Sequence, residues 1–79
     1  MRPTRYRNLS GDSGVTRYAI GADHIEVQFD GPVVYTYDAT RPGVPHVERM
    51  KLLAVAGRGL STYISTHVKN EYSRKRTGW

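Results

Sequence analysis

The stretch His24-Ile25-Glu26-Val27-Gln28-Phe29-Asp30-Gly31-Pro32-Val33-Val34-Tyr35-Thr36-Tyr37-Asp38 decides the fold of this chain. Ile25, Val27 and Phe29 alternate with Glu26, Gln28 and Asp30, the mark of a half-buried strand, because successive side chains point to opposite faces. Asp30-Gly31 then supplies a tight turn, since glycine accepts the positive φ such turns need. Pro32 has no N–H for a ladder, so the next strand begins after it. There Val33, Tyr35 and Tyr37 continue the apolar face, and Val34 and Thr36 point outward. The stretch reads as a hairpin with one greasy side.

Upstream, Val15 to Ile20 is rich in strand formers and joins the hairpin through Gly21-Ala22-Asp23. Tyr18 and Ile20 fit one face and Val15 the other, a conflict that a bulge or a partly open edge would reconcile. Downstream, Pro42, Gly43 and Pro45 end the sheet, and Pro45 suits the start of a helix, where a missing N–H costs nothing. Val47, Met50 and Ala54 recur at helical spacing with Leu53 beside them, until Gly57-Arg58-Gly59 stops the helix. From Ser61 to Tyr72, Tyr63, Ile64, His67, Val68 and Tyr72 lie three to four apart and favour a second helix. Ser61, Thr62, Ser65 and Thr66 there are poor interior helix formers and good strand residues, but the helix is favoured. The expected fold class is α+β: a three-stranded antiparallel meander followed by two helices packed on one face. A flexible basic arm (1–12), an α+β domain (13–72) and a flexible basic tail (73–79) make up the expected organisation.

Charge divides the chain in the same way. Arg2, Arg5 and Arg7 stand before residue 12 without an acid, and Lys69, Arg74, Lys75 and Arg76 crowd the other end against Glu71 alone. The body between is slightly acidic, although the whole chain carries a formal +5. Basic ends on a near-neutral body point to a polyanionic partner. The seven basic residues named are therefore the candidate nucleic-acid contacts. Arg17, Arg58 and Trp79 are supplementary ones, the indole as a stacking surface. Tyr35 and Tyr37 share the face of Val33 and read as core.

Seventy-nine residues without a cysteine make one small domain with no disulfide and no thiolate metal site. Its thin core could gain from self-association, so a monomer or weak homodimer is expected. No run approaches the roughly 18 apolar residues of a membrane span. The first eleven residues lack the apolar stretch of a signal peptide, so a cytoplasmic protein is the expectation. His24, His46 and His67 are scattered and nothing resembles HExxH, so neither metal nor cofactor is expected. Ser13, Ser61 and Ser65 lie in no nucleophile elbow. Gly57-Arg58-Gly59 lacks the length and lysine of a phosphate-binding loop. The chain reads as a non-enzyme.

In this order the residues resemble the KTSC domain, a short module of bacterial and phage proteins that is also appended to some lysyl-tRNA synthetases. Ser13 and Val15 look like its opening. Ile25, Val27 and Phe29 are similar to its second strand, and Tyr35-Thr36-Tyr37 to its Tyr-x-Tyr. Val47, Met50, Leu53 and Ala54 resemble its helix, and Tyr63 to Val68 with Tyr72 its last segment. The chain departs from the pattern at Gly57-Arg58-Gly59 and at Ser65, where asparagine is usual. The resemblance implies three strands followed by two helices and, through the synthetases, an association with RNA. Two functions follow as expectations: nucleic-acid binding through the basic ends, RNA favoured, or a protein-interaction or phage/bacterial accessory module.

Overall fold

The computed structural model describes residues 3–11 and 13–79. Its strands are β1 (Thr4–Arg5), β2 (Val15–Ile20), β3 (His24–Phe29), β4 (Val33–Asp38) and β5 (Arg74–Thr77). They form one antiparallel sheet in the order β1-β2-β3-β4-β5. Helix α1 (Val44–Ala56) and helix α2 (Leu60–Tyr63) intervene between β4 and β5, and α2 runs on into a π-helical turn, Ile64–Val68.

The expected three-stranded meander is thus corrected to five strands. Both basic ends, expected to lie outside the sheet, supply its outer strands. Neither carries the apolar alternation that marks a strand in sequence, because an edge strand buries little and charge there discourages further pairing. Arg2 lies outside the described residues.

The central hairpin follows from its residues. Gly31 turns the chain at φ 101°, and β4 begins directly after Pro32. On β2 the register shifts between Val15 and Arg17, a bulge that returns Val15 to the inner face, where it is buried. Helix α1 buries Val47, Met50 and Ala54 on the sheet. Gly57 ends it in the left-handed region, its N–H donating to the Leu53 and Ala54 carbonyls. A side chain at Gly57 would also meet Arg7 at 2.9 Å. The last segment is helical as far as Val68, and Tyr72 lies beyond it, returning to the core margin.

The core between sheet and helices holds Val15, Ile25, Val27, Tyr37, Val47, Met50, Ala54, Leu60, Ile64 and Val68. It also holds Tyr6, brought in by the N-terminal strand. Phe29 is only partly buried at the edge of this cluster. Val34 and Thr36 do face away from the helices, yet both are buried, Val34 completely. Something on the far side of the sheet must cover them.

Candidate nucleic-acid interface

Cross-strand partners in an antiparallel sheet share a face. One row on the side away from the helices therefore runs Arg5, Arg17, Gln28, Val34, Arg76 across all five strands. The next row runs Ala19, Glu26, Thr36, Arg74. The residues that cover Val34 stand in its own row and beside it. Trp79 donates its indole N–H to the Gln28 Oε1 at 2.8 Å, and the Arg76 guanidinium lies 5.6 Å from the indole centroid. Gln28 and Arg76 flank Val34, so the indole is tied down on both sides of it.

Arg76 has a second partner. Its guanidinium bonds the Glu26 carboxylate, which is almost wholly buried and also accepts the Thr36 hydroxyl at 3.3 Å. Burial pushes the Glu26 carboxyl upward. The Arg76 bond and charge together with the Thr36 hydroxyl outweigh it and hold the pKa below the usual value. That stabilisation is full above the ordinary carboxylate range and is lost as pH falls through the lowered value.

Asp38 behaves alike. Desolvation raises its pKa, and the Ser73 hydroxyl at 2.8 Å, the Arg41 and Thr40 N–H groups and the Arg74 charge bring it lower. Asp38 and Arg74, with Glu26, Thr36, Arg76, His24 and Asp23, line a polar depression of about 300 Å³ at one end of the face.

The other end is different. Arg5 and Arg17 are directly opposed across β1 and β2, and both are exposed. Among the described residues neither guanidinium has a carboxylate partner. Like charges directly opposite are destabilising in a sheet, so this pair is a natural seat for an anion.

The structure therefore gathers Arg5, Arg17, Arg74, Arg76 and Trp79 on one face and sends the remaining described candidates elsewhere. Arg7 donates to the Val55 carbonyl near the C-terminal end of α1, where a cation meets the negative end of the helix. Arg58 is exposed in the turn between the helices. Lys75 pairs with Tyr35 and so shares the helix-bearing side, and Lys69 follows the π-turn on that side. Sequence reasoning missed Glu26, Gln28 and Thr36, which organise the face. The one signal for them was the outward set of the β3 and β4 alternation.

Two of the three histidines converge, against expectation. His46 Nδ1 lies 2.8 Å from the Tyr63 hydroxyl, and the His67 ring stacks on Tyr63 at 4.3 Å. Among the described residues no group of three histidine or carboxylate side chains is placed to hold a metal ion, and no helix is long and apolar enough to cross a membrane.

Compared with known proteins, the chain matches no family model, no curated protein and no solved structure.

Proposed function

We propose that the helix-free face of the sheet binds nucleic acid. Phosphate oxygens sit on the Arg5–Arg17 pair, Arg74 gives a further backbone contact, and Trp79 offers a ring for stacking. The observation that carries this reading is the exposed, directly opposed arginine pair without a counter-charge among the described residues. Phosphate contacts position such a ligand without reading its sequence, so the binding is largely sequence-independent. The KTSC-like order of residues leans the choice toward RNA.

Arg76 is committed to Glu26, which leaves Arg5, Arg17 and Arg74 as the cations without an ion pair on the face among the described residues. The log–log salt slope is then roughly −2 to −3 at about 0.7–0.9 per contact. Fluorescence anisotropy with labelled single-stranded RNA, single-stranded DNA and duplex DNA at two salt concentrations measures it. Arg5→Ala with Arg17→Ala removes two exposed side chains, keeps the fold and should lower the slope by about 1.5–2. No binding by the intact chain at low salt would rule the reading out.

A second reading, the protein-interaction module, gains from one observation. Val34, though it faces away from the helices, offers no docking surface, because that side chain is buried. The outer side of α1 leaves Leu52 65% and Val55 57% exposed, with Leu9 also open to solvent. A weak homodimer through this stripe would show in light scattering as a mass that rises with concentration. Leu52→Glu should abolish the rise, and a constant monomer mass across the range would discard it.

A further inference from the structure

On the opposite side of the sheet, a recess of about 250 Å³ opens between β3, β4 and the end of the π-turn. Its walls are aromatic: Tyr35 meets Phe29 edge-on at 5.8 Å and Tyr72 at 4.9 Å, and Tyr72 meets Tyr37 at 6.4 Å. Lys69 and Asn70 stand in its lining. Three further features meet here. Tyr37 is 1% exposed as a residue and lines the recess, and none of its described neighbours hydrogen-bonds its hydroxyl. The helix widens into a π-turn just where it lines the cavity, a distortion frequent at functional sites. Lys69 closes that turn at φ 21°, ψ −94°, an unfavourable conformation for a side-chain-bearing residue.

We infer that this recess is a binding site for one nucleotide, its heteroaromatic base enclosed by Tyr35, Tyr37 and Tyr72 and its phosphate on the Lys69 ammonium. The chemistry of the lining selects each part. Tyrosine and phenylalanine edges and faces favour a planar ring. A plain hydrocarbon ring seated in the recess would cover the Tyr37 hydroxyl without pairing it, whereas a ring nitrogen or carbonyl accepts its proton. Burial pushes the Tyr37 phenol well above its ordinary pKa, so it stays a donor at neutral pH. The Asn70 amide offers both a donor and an acceptor to a base edge. Lys69 forms no ion pair with a described residue and supplies the charge an anionic substituent needs. The volume lies below the roughly 300–1,000 Å³ of sites for drug-sized ligands, which fits a single base.

This site goes beyond the helix-free face and stands without it. The base can come from a free nucleotide or from one nucleotide of a strand. Backbone amide NMR of the full chain distinguishes these, with adenosine, cytidine, guanosine and uridine monophosphates in one arm and short single-stranded oligonucleotides in the other. Shifts centred on Tyr35, Tyr37, Lys69, Asn70 and Tyr72 with a mononucleotide support the site with a free ligand. The same shifts with oligonucleotides alone support it with a strand.

Ribose 5-phosphate, which has the phosphate and no base, should leave those residues unmoved. Tyr37→Phe keeps the packing and should weaken binding roughly three- to tenfold. Lys69→Gln should erase the preference for nucleotide over nucleoside. The proposal is overturned if neither a mononucleotide at millimolar concentration nor a single-stranded oligonucleotide moves the recess. It is overturned equally if ribose 5-phosphate moves it alike, or if Tyr37→Phe binds as tightly as the parent. A failure here leaves the arginine pair and its salt slope untouched, and the reverse also holds.

Discussion

A chain cut after Tyr72 is expected to lose most of its native structure. The cut removes β5 and its four register pairs with β4, together with Ser73, whose N–H and hydroxyl both reach the Thr36 carbonyl. It exposes one edge of β4, uncovers Val34 and strands the Glu26 carboxylate without Arg76. Removing one partner of a buried ion pair costs about 3–5 kcal/mol. Arg76 keeps 37% of its side-chain surface in solvent, so the lower end of that range applies to the charge alone. Against a total stability of roughly 4–12 kcal/mol for a domain this size, losing the pair and the strand together leaves little. Urea unfolding of the cut chain beside Arg76→Ala measures both parts. The single substitution should stay folded with a lower midpoint, and a cut chain as stable as the parent would show that β5 contributes nothing.

Tyr6→Ala should be nearly as damaging, at about 3–5 kcal/mol. Tyr6 is 3% exposed, packs edge-on to Tyr18 with ring centroids 6.4 Å apart, and belongs to the main core. Its hydroxyl also accepts the Leu60 N–H at 3.3 Å. That donor opens α2 and has no partner within the helix, so the tyrosine caps from a distance of 54 residues. Tyr6→Phe isolates the cap and should cost about 1 kcal/mol. Thermal or urea melts of both variants test the assignment. A loss below about 1 kcal/mol for Tyr6→Ala would remove Tyr6 from the core.

Much of the architecture was legible because local chemistry and burial agree there. Ile25 and Val27 face the helices as their alternation requires, Gly31 makes the turn, and Val47, Met50 and Ala54 form the buried stripe of α1. The conflict over Val15 was also readable, and a bulge resolves it. The arginine-bearing face was not legible in the same way. Arg5, Arg17, Arg74 and Arg76 were visible as charges, but their company depends on register, and register across β1–β2 and β4–β5 has no local signal.

By itself, then, the sequence determined the central strands, the helix that covers them and the basic character of both ends. In each case one segment's own periodicity or composition carries the information. Only the tertiary structure decided that those ends are strands. A short charged segment has no apolar period and takes its conformation from the open hydrogen-bonding edge it meets, with Tyr6 and Arg76 as its anchors. It likewise decided that Arg5 opposes Arg17 and that Tyr37, a core residue, also lines an aromatic recess, since both depend on residues far apart in the chain meeting at fixed distances.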